Sequence, residues 1–240
     1  MNYRLPVLTL GLLVLTGCSS VPVSQQSTLP HFIKQSYEED AGKLSLKVAA
    51  HYPEFSEIKN KKTQQLINEA AKKVALDEVD KFKKELDSSE KPAGTFEVGS
   101  NIAVEYVPSL VNENFVSLRF NISAYTAGAA HPNNFTIVFN YDLRTNKQPT
   151  LADFFKGDYL PELSKNAEEI LTARFRQKRW GTIIKKGIAP TYENYKNVLV
   201  TEAGFVFIFD VYQVGPYSIG PQEITIPFDK LSSVLTFSIL

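Results

Sequence analysis

The residues of this 240-residue chain with the most specific chemistry are three histidines, one cysteine and one tryptophan, and their spacing disperses that chemistry. His31 lies near the N-terminal segment, His51 on the outer side of an alternating run, and His131 in a loop of small residues. No such spacing assembles a three-ligand metal site. A neutral imidazole at His131 could ligate a metal or hydrogen-bond a saccharide, but beside Pro132 its commoner use is to hold the carbonyls of its own loop. Glu168 and Glu169 are adjacent on a helical pattern, where neighbours face different directions, so they make a poor acid–base pair. Asp153, before two phenylalanines, suits a cap or a turn. Trp180 reads as core filler, with stacking on a sugar as the alternative. There is no Gly-x-Ser-x-Gly elbow and no glycine-rich loop ending in Lys-Ser/Thr. The expectation is a binding protein, not an enzyme, with no cofactor and no metal.

Cys18 belongs to a different kind of chemistry. A charged start at Arg4, an apolar run from Leu5 to Leu15 and the sequence Leu15-Thr16-Gly17-Cys18 have the form of a signal peptide (residues 1–17). The run is too short to cross a bilayer as a mature helix. Leu-x-Gly-Cys resembles the lipobox of bacterial lipoproteins, which implies acylation of Cys18, as with palmitate, and contact with the membrane through that anchor alone. Ser19 and Ser20 follow in place of an inner-membrane retention aspartate. The expected location is the cell envelope, on the outer membrane facing the periplasm. With 26 basic and 26 acidic residues the chain has no basic field to attract nucleic acid.

The elements that must position any site follow from periodicity. Residues 18–42 read as acylated cysteine and flexible tether. A half-buried strand from Leu44 to Ala50 ends at Tyr52-Pro53, and a long helix from about Glu57 to Asp87 carries the stripe Ile67, Ala71, Ala75, Val79, Phe82 and Leu86. This N-terminal part, residues 43–94, joins residues 95–240 in one globular unit. A meander of three antiparallel strands spans roughly Thr95 to Leu143, with Pro108 to Asn114 as a loop. A second helix carries Leu163, Ala167, Ile170, Leu171 and Phe175, while residues 178–191 have no clear pattern. Phe205 to Tyr212 is apolar on both faces and belongs at the centre of a sheet. Short strands at Asn197–Thr201 and Glu223–Pro227 complete the set. The expected class is α+β, an antiparallel β-sheet with two principal α-helices packed on it.

Two loops stand out. Tyr125–Asn134 connects alternating strands through Ala127, Gly128, Ala129 and Ala130 and is stiffened by His131-Pro132; Gly215–Pro221 sets Tyr217 behind Pro216. The partner-binding candidates are Tyr125, Thr126, Gly128, His131, Pro132, Asn133 and Asn134 from the first, and Pro216, Tyr217 and Gly220 from the second. Tyr125 can serve contact or loop support, and Tyr217 can anchor a partner or pack beneath its neighbouring loop.

The order YTAGAAHPN, FNYDLRTNKQPTLADFF, a helix, then GFVFIFDVYQVGPYSIGPQEITIP resembles the RsiV-like domain family. That family includes the extracellular lysozyme-binding domain of the anti-sigma factor RsiV, and it is similar to the non-catalytic N-terminal domain of the peptidoglycan deacetylase PdaC. The resemblance covers about Lys43 to Leu235. It implies an α+β fold whose known member binds lysozyme, so the expected partner is a lysozyme-like hydrolase; the alternative, the peptidoglycan glycan, is suggested by the tyrosines and asparagines of the same two loops. The chain has one more residue than the common Tyr-Thr-Gly-Gly-Ala-His motif between Tyr125 and His131.

Overall fold

A computed structural model describes residues 30–41, 46–88, 99–176 and 180–236. The leader, Cys18 and the first part of the tether lie outside the described residues, as does the start, near Thr95, expected for the three-strand meander.

The first sheet has five strands in spatial order β1 (His31–Ala41), β2 (Leu46–Ser56), β3 (Ser100–Val111), β4 (Phe115–Tyr125) and β5 (Asn133–Asp142). Residues 31–41, expected in the tether, thus form an edge strand paired with β2 from His31↔Ser56 to Ala41↔Leu46. An edge strand needs little apolar content, which hides it in a polar stretch; Phe32, against Phe55 and Tyr106, is one of its inward anchors. β2 runs through Pro53 rather than ending there. β3 pairs with only Leu46–Ala50, so at Pro53 the strand has a partner on one side alone and a missing N–H is tolerated.

Helix α1 (Lys61–Ser88) joins β2 to β3. It starts later than expected because Glu57 takes a left-handed φ of 63° and Asn60 is the cap, its Oδ1 accepting from the N–H groups of Lys62 (2.9 Å) and Thr63 (3.2 Å). The helix returns the chain to the end where β2 began, so β3 lies parallel to β2. The sheet is therefore mixed, not antiparallel throughout. Ile67, Ala71, Ala75, Val79 and Phe82 bury the helix stripe against Leu46, Val48, Ala50, Ile102, Val104, Leu118 and Phe120. Asn68 stitches it to the sheet, accepting from Phe55 N–H at 2.7 Å and donating to Phe55 O at 3.0 Å.

The second unit of packing follows β5. Short helix α2 (Leu151–Phe154) is held by Thr150, whose N–H and hydroxyl each donate to Asp153 Oδ2 at 2.7 Å. Then come α3 (Leu160–Arg174), α4 (Gly181–Gly187), α5 (Tyr192–Tyr195) and a three-stranded antiparallel sheet of β6 (Val198–Val200), β7 (Gly204–Phe209) and β8 (Gln222–Pro227). β7 is the central strand of that sheet, with Phe205, Phe207, Ile208 and Phe209 all buried. The fold is α+β with each long helix serving a different core: α1 covers the first sheet, while Leu163, Ala167 and Leu171 of α3 pack with the second.

A buried polar junction joins the sheets. β3 continues past Pro108 through a register shift at Pro108/Leu110, and the extra Ser109 donates to Val200 O at 3.0 Å. Ser117 donates to Asn140 Oδ1 at 2.7 Å and accepts from Val200 N–H at 2.9 Å; Asn140 Nδ2 donates to Val198 O at 2.8 Å. This places β6 against the outer face of β4 and β5. Both candidate loops then emerge on one side.

Candidate functional site

The first loop is built on close backbone approach. Ala129 N–H donates to Thr126 O at 2.9 Å, a turn whose third residue is Gly128 with φ 88°, where a side chain would be strained. Ala127 N–H donates to Ser100 Oγ at 3.0 Å, tying the turn to β3. Thr126 and Gly128 therefore shape the loop. Tyr125, half-buried at the end of β4, stands opposite Asn101 across the ladder.

The second loop meets it at one ring. Tyr217 opens a single 3-10 turn behind Pro216, and Gly220, with φ 67°, ends it. The imidazole of His131 stacks on the Tyr217 ring with centroids 4.3 Å apart and planes at 27°. His131 Nδ1 lies 2.9 Å from Pro132 O, and in the tautomer carrying that hydrogen it donates to this carbonyl. Asn134 Nδ2 donates to Tyr217 Oη at 3.1 Å, and the Tyr217 hydroxyl reaches Pro132 O at 3.4 Å. His131 thus holds its own loop and joins it to the other. Asn133 is exposed, and Pro132 and Pro216 are half-buried.

Tyr212 completes the patch, although the run Phe205–Tyr212, apolar on both faces, placed it in a central strand. Its ring centroid is 5.6 Å from that of Tyr217, its side is 60% exposed, and its φ is 67°. β7 ends at Phe209, and the following turn, closed by Gln213 N–H donating to Asp210 O at 3.1 Å, carries Tyr212 outward. A bulky residue with positive φ persists only where its surroundings dictate it. Here they do. Gln213 Oε1 accepts from Asp210 N–H at 3.1 Å, and Gln213 Nε2 donates to Gly187 O at 2.9 Å and Asn194 O at 3.1 Å. At Gly187 an added Cβ would lie 2.0 Å from Gln213 O, so only glycine permits that approach.

Asp210 connects this turn to the first sheet. Thr136 N–H donates to Oδ1 at 3.3 Å and Asn197 Nδ2 to Oδ2 at 3.0 Å. Burial raises the Asp210 carboxyl above its ordinary range, against the lowering effect of those two donors. Sequence reasoning missed Asp210, Tyr212, Gln213 and Gly187; the polar break Asp-Val-Tyr-Gln after an apolar strand was the available signal. Trp180 is half-buried against Phe175, 5.2 Å between centroids, and belongs to the second core rather than to the patch. Among the described residues no group of three His, Cys, Asp or Glu side chains is placed to hold a metal. Glu168 and Glu169 are both exposed on α3. What the arrangement offers is a patch of three rings with amide groups beside them, held from within.

Residues 38–134 match the family described as "Deacetylase PdaC", and residues 152–229 match DUF3298, a family of unknown function. Over 189 residues, 78% of this chain, the sequence is 30% identical to the peptidoglycan-N-acetylmuramic acid deacetylase PdaC of Bacillus subtilis, of which the chain spans only 38%. Two solved structures share the fold. A DUF3298-family protein of Bacteroides fragilis aligns with TM-score 0.63 at 23% identity, covering 87% of this chain and 94% of that one. A second, from Pseudomonas aeruginosa, aligns with TM-score 0.62 at 16% identity over 86% and 94%.

Proposed function

Starting from a chain that resembles part of a peptidoglycan deacetylase and carries a rigid aromatic patch, we propose a peptidoglycan-associated envelope protein whose paired loops bind a lysozyme-like hydrolase. The observation that carries the reading is the His131–Tyr217 stack, which makes one surface of two loops far apart in the chain. A surface ordered before binding loses little conformational freedom on association, and exposed tyrosines are effective anchors. The RsiV-like pattern of the two loops supports a lysozyme-fold partner, and inhibition would be steric, by filling the glycan cleft. No catalytic role belongs to this reading.

The test is titration of the purified protein against a panel of lysozymes and lytic transglycosylases, recording binding and residual activity. Saturable binding with lost activity is expected for at least one, and Tyr212→Ala should weaken it about tenfold or more without altering the fold. Flat curves across the panel at micromolar protein would sink the proposal. A second reading, direct binding of the glycan wall, is favoured by the exposed Tyr212 ring and the exposed Asn133 of the first loop, and co-sedimentation with purified sacculi decides it.

Localisation is part of the same proposal. Acylation of Cys18 after removal of residues 1–17 would hold the body on the membrane surface, facing the periplasm, since two or more chains anchor stably where one does not. Among the described residues no helix is long and apolar enough to cross a membrane.

A further inference from the structure

The outer face of the first sheet carries a second feature, separate from the paired loops. The second sheet covers this face along β4, β5 and the far end of β3, through Ser109, Ser117 and Asn140. Across the other end of β1, β2 and β3 runs a trough of about 570 Å³ lined by Glu38, Asp40, Lys47, Ala49, Asn101 and Ala103. Its floor and wall follow from register. Glu38 pairs with Ala49, Ala49 with Ala103, and Ala103 with Ser123, forming one row across four strands. The next row is Asp40, Lys47, Asn101 and Tyr125.

The two alanines are only half-buried, so the floor is low and open, while Glu38, Asp40 and Lys47 stand exposed around it. On the other side His51 Nδ1 lies 2.6 Å from Glu105 Oε1 and Lys34 Nζ lies 3.1 Å from Glu105 Oε2, so those charges already have partners. Glu38 and Asp40 have no ion-pair partner among the described residues. Neighbouring strands lie about 4.8 Å apart, so the three strands that line the trough give a track of about 10 Å, roughly two linked pyranose rings. Small side chains under polar walls let a ring lie flat on the sheet, and the volume is in the range of small-molecule sites.

We infer that this trough is a binding site for a short amino-sugar chain bearing free amines, its ammonium groups meeting Glu38 and Asp40. Lys47 and Asn101 donate to ring and hydroxyl oxygens of the same chain. The charge decides the class: two carboxylates without an ion-pair partner among the described residues, against one lysine, favour a cationic sugar over its neutral acetylated counterpart. The site is argued from residues other than those of the paired loops and stands or falls apart from hydrolase binding.

The test is calorimetric titration of the whole protein with the trimer of glucosamine and, in parallel, the trimer of N-acetylglucosamine. Saturable binding of the glucosamine trimer is expected, at least tenfold tighter than the acetylated one and weakened by raised salt. Glu38→Gln with Asp40→Asn should remove that preference, Ala103→Leu should abolish binding by raising the floor, and Tyr212→Ala should leave it intact. If Ala103→Leu unfolds, the Glu38/Asp40 pair of exposed substitutions carries the test alone. Absence of saturation, equal or tighter binding of the acetylated trimer, or loss of binding in Tyr212→Ala with retention in the Glu38/Asp40 variant would each overturn the assignment.

Discussion

At the scale of single residues, the patch depends on a few side chains with more than one task. Tyr217→Phe keeps the ring that stacks on His131 and removes the hydroxyl that meets Asn134 and Pro132. We expect a loss of about 1 kcal/mol in unfolding free energy with the aromatic surface retained, read by denaturant titration. Gly187→Ala, though remote from the patch, should do more damage, because its Cβ would press on the backbone of Gln213 and displace the turn that presents Tyr212. Chemical-shift changes at Tyr212 on that substitution would verify the link; unchanged shifts would break it. Acid sensitivity is also local. Burial alone would raise the Asp142 carboxyl, but Arg144 Nε and Nη2, each at 3.1 Å, and Arg144 N–H at 2.8 Å hold it below its ordinary value. A lowered folded-state value means stability present above the unfolded value and lost as pH falls through the folded one. Asp142→Asn should thus destabilise the protein near neutrality and flatten the loss of stability below about pH 4. Asp210 has the opposite sign: its raised value contributes stability at low pH that is lost as pH rises through it.

At the scale of elements, the contact between sheets explains why the two loops share a side. Ser117, fully buried, serves Asn140 and Val200 at once. Ser117→Ala leaves the Val200 N–H and Asn140 without that partner, and an unsatisfied buried group costs about 1–3 kcal/mol. Hydrogen exchange should then quicken in β6 and at the adjoining part of β4, while α1 amides keep their protection; uniform quickening would mean that the junction is not a local lock. The connection β2–α1–β3 shows why strand direction escaped the sequence pattern. Alternation reports which face is buried, and both parallel and antiparallel neighbours alternate when one face packs on a helix. The long helix between β2 and β3 was visible, and a helical crossover is the usual route to a parallel pair.

At the scale of the whole molecule, two cores lie on either side of a polar junction, and the envelope reading depends on a segment outside both. Growth with labelled palmitate should label the protein, and Cys18→Ala should remove label and membrane association together while the body folds as before. Retention of label in that variant would refute anchoring through Cys18. Much of the fold was legible in the chain. The α1 stripe, the β4–β5 hairpin and the doubly covered β7 each follow from short-range periodicity, because burial of one face or both imposes it locally. The turns of the two loops were legible as well, from glycine, alanine and proline, whose backbone limits are properties of single residues. Other features rest on contacts between distant residues: β1 as an edge strand, the parallel β2–β3 pair, the alanine-floored trough and the outward turn of Tyr212. None of these follows from local pattern, since register across strands and the approach of Gly187 to Gln213 exist only once the cores have closed. The sequence by itself determined where the two loops fall and which backbone limits their residues carry; tertiary packing alone decided that His131 and Tyr217 would meet, because the Ser117–Asn140 junction sets one sheet against the other.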